Sequence, residues 1–384
     1  MIRFLCISDF TGKYSYELIR GMMDRVKGVK QFSVFSMPPQ IAYKMSIDEL
    51  IGYAKDNKIN VIVGQFDENP ELKKFAENGI MAFSQDFHTT VSTLPRLTED
   101  YDAVGACAAD FLVEKGFKNF AFFGVADVCW SGNRYQGFVK RLRELGFNSE
   151  VSIYNQPEYA SVWQYKASEV VEWLRSLPKP IGLFACNDAQ ALKVMQLCEV
   201  NGIEVPSEVS IIGVDNNVSL CNIIYLSLTS VDLDVRRAGY ELACQVEEMQ
   251  KTGEYEVHDI VVNPIRVVPR LSVANIYSAD KYVNKALSFI HTNVDRKLSV
   301  GDVLAQVPLS RRLLEEKFKI FTGESIYSYI LSVRVERFSN LLIEEPKSVS
   351  AIVAEMGEED PRSLSRRFKA LKGCTPEEWR EKFA

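Results

Sequence analysis

Carboxylates, amides, one arginine and an indole gather in five short segments of the first 270 residues, each close behind an apolar run. Asp9 and Tyr14 follow Phe4–Ser8, and Asp86 follows Ile80–Phe83. Trp130, Asn133 and Arg134 follow Asn119–Gly124, Asn187 follows Gly182–Ala185, and Asp215 follows Ser210–Val214. Carboxylates and an arginine make charge-assisted hydrogen bonds to hydroxyl groups, and an aromatic face covers the C–H side of a sugar ring. The set therefore suits a polyhydroxyl ligand. The competing reading is turn chemistry, because Asp and Asn after a strand commonly cap the next helix. Asn187-Asp188, directly before the helical pattern Ala189–Asn201, is the best cap candidate.

These segments need strands to hold them. Further strand candidates are Gln31–Phe35, Val61–Gly64 and Val151–Tyr154, and helical patterns alternate with them: Tyr16–Val26, Ala103–Lys115, Gly132–Leu145, Trp163–Ser176 and Val235–Thr252. Strand, helix, strand in repetition implies parallel sheets with right-handed crossovers. Residues 1–270 are too many for one small doubly wound unit, so two α/β lobes are expected. Ligands of open α/β sheets sit outside the carboxyl ends of the strands, where the five polar segments fall.

A second kind of chemistry lies in residues 280–384, beyond a connection over 271–279. Leu314-x-x-x-Phe318-Lys319-x-x-x-Gly323 recurs as Leu364-x-x-x-Phe368-Lys369-x-x-x-Gly373, and Val300-x-x-Val303-Leu304-Ala305 recurs as Val349-x-x-Ile352-Val353-Ala354. Each copy, about 298–321 and about 348–371, predicts a short apolar helix, a turn and a longer helix ending at glycine. That is a helix-turn-helix, which lays its second helix in a DNA major groove. Ser310 and Asp360 are placed to cap the longer helices, Pro361 to open the second, and Leu314, Phe318 and Phe321, then Leu364, Phe368 and Leu371, to face inward. The opposite faces carry Arg311, Arg312, Glu315, Glu316 and Lys319 in the first copy and Arg362, Ser365, Arg366 and Lys369 in the second. Arginine bonds bidentately to guanine, so Arg312, Arg362 and Arg366 are the candidates for base reading, with lysines on phosphates. Glu315 has two readings, a cytosine contact or an i,i+4 partner of Lys319.

Bulk properties permit this division. The net charge is −6 over 384 residues, yet the chain from residue 276 onward carries a balance of +2 and the remainder −8. Eight scattered cysteines without a C-x-x-C pair fit a reducing compartment, and no membrane-length apolar run or leader pattern occurs, so a cytoplasmic protein without membrane partners is expected. The three histidines are paired with no nucleophile, and dinucleotide, Walker and nucleophile-elbow patterns are missing. No catalytic residue, metal or cofactor is expected. An enzyme fused to a DNA reader is thus the weaker alternative. A phosphorylation-driven receiver is disfavoured too, since Asp9 stands alone and the first module is twice too long.

Asp100-x-x-x-x-Gly105-x-x-Ala108-x-x-x-Leu112-x-x-x-Gly116, Arg134-x-x-Gly137-Phe138, Phe184-Ala185-Cys186-Asn187-Asp188 and Val205-Pro206 through Asp215-Asn216 resemble the LacI/periplasmic-binding-protein-like (type I) sensor. In that family the residues matching Arg134, Asn187 and Asp215 face the sugar between two lobes. The last hundred residues, closing on Gly373-x-Thr375-Pro376-x-x-Trp379-Arg380, are similar to the AraC-type DNA-binding domain. Glu358 stands where that family has an aromatic, which predicts a looser second unit unless Met356 compensates. Sensor first and reader last is the order of the bacterial xylose operon regulators, which the chain resembles along nearly its full length. The resemblance implies a cytoplasmic homodimer that binds double-stranded DNA and a small sugar effector, works with RNA polymerase, and more often activates than represses. Asn133 stands where an acidic residue is expected, so a pentose or another sugar or sugar acid remains open.

Overall fold

The computed structural model describes residues 2–8, 12–26, 32–148, 150–156, 167–223, 226–252, 258–273, 281–358 and 361–383. Asp9, the cap candidate Asp360, residues 163–166 of one expected helix and most of the 271–279 connection lie outside these residues.

Among the described residues, twelve strands form two six-stranded sheets. They are β1 Ile2–Ile7, β2 Phe32–Met37, β3 Val61–Gln65, β4 Met81–Gln85, β5 Arg96–Glu99, β6 Phe120–Val125, β7 Ser152–Gln156, β8 Ile181–Ala185, β9 Val209–Val214, β10 Thr229–Leu233, β11 Ile260–Val262 and β12 Pro264–Val268. The orders are β11-β5-β4-β3-β1-β2 and β12-β10-β9-β8-β6-β7. All neighbours run parallel except β12 on β10. Parallel sheets need cover on both faces, and β6, β8 and β9 are accordingly buried along their whole length.

The chain passes between the two sheets at Glu99–Tyr101, Leu233–Val235 and Val262–Pro264. Backbone hydrogen bonds tie these crossings together: the Asp100 N–H donates to the Val262 carbonyl and the Asp234 N–H to the Asn263 carbonyl, both at 2.9 Å. The crossings make a hinge, and each lobe keeps its own outer core. The sequence predicts β1–β4 and β6–β9 and not β5, β10, β11 or β12. β5 buries only Leu97 of its four residues, and β11 is three residues long, so neither shows a strand period.

Seven helices follow among the described residues: Lys281–Thr292, Val300–Leu304, Arg311–Thr322, Ile326–Glu344, Val349–Glu355, Pro361–Lys372 and Pro376–Phe383. They bury two separate cores. Leu314 and Phe318 centre the first, and Leu364 and Phe368 the second, while Ile326–Glu344 contributes to both. Gly323 and Gly373 end the two longer helices at φ +76° and +77°, each donating its N–H to the carbonyl four residues back at 2.9 Å. A side chain is strained at that φ, which is why the repeated pattern closes on glycine. Leu371 is a correction: it is 52 % exposed, not buried. The second core stops at Phe368, whose ring meets Trp379 edge-on at 5.8 Å, so the last helical turn projects beyond it. The Phe321 side chain lies outside the described ones.

The helical part touches the second lobe. Asn340 Nδ2 donates to the Pro269 carbonyl at 2.9 Å, and the Arg266 guanidinium lies 6.0 Å from the Trp379 ring centre. Among the described residues, no helix is long and apolar enough to cross a membrane and no cluster of ligating side chains suits a metal ion.

Candidate functional site

Helix packing positions the cleft arginine. Helices Tyr101–Glu114 and Cys129–Glu144 cross where a Cβ on Gly105 would stand 2.2 Å from the Phe138 nitrogen and 2.8 Å from the Arg134 carbonyl oxygen. A Cβ on Gly137 would stand 2.6 Å from the Tyr101 carbonyl oxygen. The two motif glycines let the backbones touch, which turns Arg134 toward the gap between the lobes. Gly105→Ala is expected to push these helices apart and cost about 1–3 kcal/mol, read from denaturant midpoints.

Arg134 is 3 % exposed. Its Nε and Nη2 donate to Glu99 at 3.1 Å and at 2.6 and 2.8 Å, Nη1 donates to the Cys186 carbonyl, and Nη2 lies 3.6 Å from Asp215 Oδ1. The guanidinium also lies 5.3 Å from the Trp130 ring centre, a cation–π distance. Glu99 ends β5 in the first lobe and Arg134 belongs to the second, so this pair bridges the lobes beside the hinge.

Asp86 is buried, and its Oδ2 accepts from Thr98 Oγ1 and from the Tyr101 hydroxyl at 2.8 Å. Its Oδ1 is buried and has no partner among the described residues. Tyr14 is half-buried among Glu99, Arg134, Asp215 and Asp86; burial first, then Glu99, holds its phenol well above the usual value, so it stays a donor. Asn133 is half-buried on the same helix as Arg134. Asp86, Tyr14, Trp130, Arg134 and Asp215 thus converge, as expected of a ligand cleft.

Two expected residues divide their work. Asn187 caps the helix Asp188–Val200, its Oδ1 accepting from the Gln190 N–H at 2.9 Å, so the capping reading holds for that oxygen. Asp188 is fully buried and accepts from Ser230 Oγ and the Asn217 N–H, which makes it a support for the loop after β9. Glu99, Thr98 and Tyr101 were not anticipated. They surround the Asp100 that opens the motif ending in Gly116, and the shortness of β5 hid them.

Asp215 has φ +99° and Asn216 φ +48°, the left-handed region that non-glycine residues rarely occupy and that clusters at ligand sites. Burial pushes the Asp215 carboxyl from 3.8 up to about 7; Arg134 opposes this, and Asp188 and Glu99 add to it. Between about pH 4 and 7 the folded sensor therefore holds a proton that the unfolded chain has lost. Stability contributed by this group falls as pH rises through that window. The thermal midpoint of the wild type is expected to drop relative to Asp215→Asn between pH 4.5 and 7.5; parallel profiles would contradict this.

The reading faces are open to solvent. Arg311, Arg312, Glu316 and Lys319 are exposed on Arg311–Thr322, and Arg362, Arg366 and Lys369 on Pro361–Lys372, with Ser365 half-buried. Ser310 caps the first of these helices through the Leu313 N–H. Glu315 has a role that neither reading gave it: it is half-buried, and its Oε2 accepts from the Ile326 N–H at 3.3 Å, joining the first reading helix to the start of Ile326–Glu344.

Glu358 corrects a second expectation. Its Oε1 accepts from Arg334 Nη1 at 2.7 Å, and Arg334 Nη2 donates to the Met356 carbonyl at 2.6 Å. These side chains are 5 % and 9 % exposed. A buried ion pair fills the place of the expected aromatic and Met356 packs in the core beside it, so the second unit is pinned to the bridging helix rather than loose.

Residues 109–273 match the family of periplasmic binding protein-like domains, and residues 303–382 match a helix-turn-helix domain family. The chain is 27% identical to the xylose operon regulatory protein of Escherichia coli (strain K12) over 348 residues, 88% of this chain and 87% of that protein. It is 29% identical to the protein of the same name from Haemophilus influenzae over 290 residues, 74% of each. The structure of the xylose-binding transcription activator xylR superposes with a TM-score of 0.68 over 100% of this chain and 98% of that one, at 23% identity, so the two share a fold. The chain is a homologue of the xylose operon regulatory proteins and a DNA-binding transcription regulator rather than an enzyme, with a periplasmic-binding-protein-like sensor ahead of an AraC-type helix-turn-helix domain.

Proposed function

We propose that the protein is a cytoplasmic, sugar-responsive regulator that activates genes for using a pentose such as xylose. In this reading, residues 1–270 sense and residues 280–384 read DNA. The observation that carries the ligand half is Asp86: a buried carboxylate oxygen without a partner is costly, and a ligand hydroxyl between the lobes satisfies it. Asp215, 26 % exposed in its side chain, accepts a second hydroxyl from the other lobe. One ligand bonded to both draws the lobes together about the hinge. Trp130 covers the ring's C–H face, with Tyr14, Asn133 and the free amide of Asn187 completing the contacts.

Two chains then present four reading helices to DNA as a homodimer, and the bound regulator recruits RNA polymerase. The test of the ligand half is a thermal-shift screen of the full chain against neutral pentoses and hexoses. A ligand at a hundredfold over its Kd stabilises by about 2.7 kcal/mol, a shift of a few degrees. For the DNA half, Arg312→Ala is expected to weaken binding to a promoter fragment by about 1–3 kcal/mol, roughly five- to a hundred-and-fifty-fold, and to relax specificity at one base position. Equal loss on random DNA would assign Arg312 to phosphate instead. The same variant should keep the sugar-induced thermal shift.

A further inference from the structure

Glu99 occupies the ligand arginine. Its two carboxylate oxygens take Nε and Nη2 of Arg134 and the Cys186 carbonyl takes an Nη1 donor, so the Nε–Nη2 edge is closed to a ligand carboxylate. Glu99 and Asp215 set two carboxylates against that single guanidinium, and Asp86 adds a third acidic side chain beside Tyr14. Lys13, which faces Asp215, is paired with Asp232 at 2.6 Å, and Arg96, near Asp86, is paired with Asp259 at 2.5 Å. An anion entering this cleft meets acceptors that need donors, in a place where water does not screen the repulsion. A neutral sugar brings only hydroxyl donors.

We propose that Glu99 is a specificity-determining residue: by neutralising Arg134 it makes the cleft select neutral, hydroxyl-donating sugars and reject their acids and phosphates. This rests on the sugar-sensor reading above and deepens it. The test is a calorimetric panel on the full chain with D-xylose, L-arabinose, D-ribose and D-glucose, each beside its aldonate, and D-glucuronate. At least one neutral sugar is expected to bind and its acid to bind a hundredfold or more weaker. Glu99→Gln keeps the size and one acceptor oxygen for Nε and Nη2 of Arg134 but removes the charge, and should reduce that ratio at least tenfold. A purely structural staple between the lobes would weaken both members of a pair alike and leave the ratio unchanged, which would overturn the proposal. So would an acid that binds the wild type as tightly as its neutral parent, an arm that needs no variant to fold. If no member of the panel binds, the sugar-sensor reading itself fails and takes this one with it.

An independent set of contacts runs from the same cleft to the DNA-reading part. Asn216, next to Asp215 and sharing its left-handed backbone, accepts from Arg270 Nη2 at 2.7 Å. Arg270 is buried and also donates to the Leu228 carbonyl at 2.8 Å and to Thr229 Oγ1 at 2.9 Å. The preceding residue, Pro269, offers its carbonyl to Asn340, which is 1 % exposed on the helix bridging the two reading units. Asn340 Oδ1 is buried with no partner among the described residues, a cost that a leucine there would not carry. We infer that Asn340 is kept to lock the bridging helix onto the end of the sensor, and that a ligand on Asp215 shifts this lock through Asn216 and Arg270. Asn340→Leu should keep the sugar affinity and bind DNA without sugar within about twofold of the wild type. The sugar-dependent change in DNA affinity, commonly 5–150-fold for coupled sites, should fall to near one. A variant that folds, by circular dichroism, and keeps the full sugar effect overturns the lock. Asn216→Ala, on the sensor side, provides the second reading and should uncouple in the same way.

Discussion

Arg334→Ala should unfold the second reading unit at temperatures where the sensor stays intact. The substitution removes the partner of Glu358 and leaves a carboxylate nearly buried against the bridging helix. It also strips the Met356 carbonyl of its donor. Breaking a buried pair from one side costs about 3–5 kcal/mol, because an uncompensated charge remains. A helical unit of this size has little to spare. The expected result is a separate early transition in circular dichroism and loss of tight DNA binding, with the sensor's sugar-induced shift retained. The paired change Arg334→Met with Glu358→Leu should recover most of the stability, since apolar side chains of similar volume often replace a buried pair without loss. If Arg334→Ala alone unfolds like the wild type, the pair is ornamental and the second unit is held by Met356 and Trp379.

Asp215→Ala should abolish the response to sugar while leaving the protein folded. A hydrogen bond from a hydroxyl to a carboxylate is worth about 1.5–3 kcal/mol, so the loss in affinity is roughly ten- to a hundred-and-fifty-fold. Removing Asp215 also relieves a carboxyl that burial holds in an unfavourable state, so the apo protein should gain stability at pH 7.5. Arg134→Ala is a poorer probe of the same site. It abandons Glu99 in the hinge region and should lower the thermal midpoint by itself, mixing a structural defect with a binding one. The contrast is measurable: one variant more stable and unresponsive, the other less stable and unresponsive. An Asp215→Ala protein that keeps the wild-type shift would remove Asp215 from the ligand site.

Much of this was legible before any coordinates. Strands buried on both faces, such as Phe120–Val125 and Val209–Val214, are written as continuous apolar runs, and the doubled Leu-x-x-x-Phe-Lys-x-x-x-Gly pattern fixes both reading helices and their glycine ends. The polar loops after β4, β6, β8 and β9 were findable because ligands of such folds collect at strand ends. What escaped was carried by residues whose partners are distant in sequence. Glu99 lies 35 positions from Arg134, on a strand too short to show a period, and nothing local marks it as the arginine's partner. Glu358 looked like a packing defect because its compensating Arg334 lies 24 positions away on another helix. Glu315 read as a surface residue because its acceptor role depends on how two helices meet. Leu371 had the right spacing for the core, but the core ends one turn earlier.

The central claim is that sugar in the cleft changes DNA binding at the far end of the chain. It is tested most directly by titrating the full-length protein onto a fluorescent duplex from the region upstream of its own gene, with and without saturating neutral pentose, at fixed salt. One pentose is expected to shift the DNA dissociation constant at least fivefold, and Asp215→Ala to bind the duplex as the sugar-free wild type does. An affinity that stays the same with every neutral sugar, in a protein that binds the duplex specifically, would contradict it.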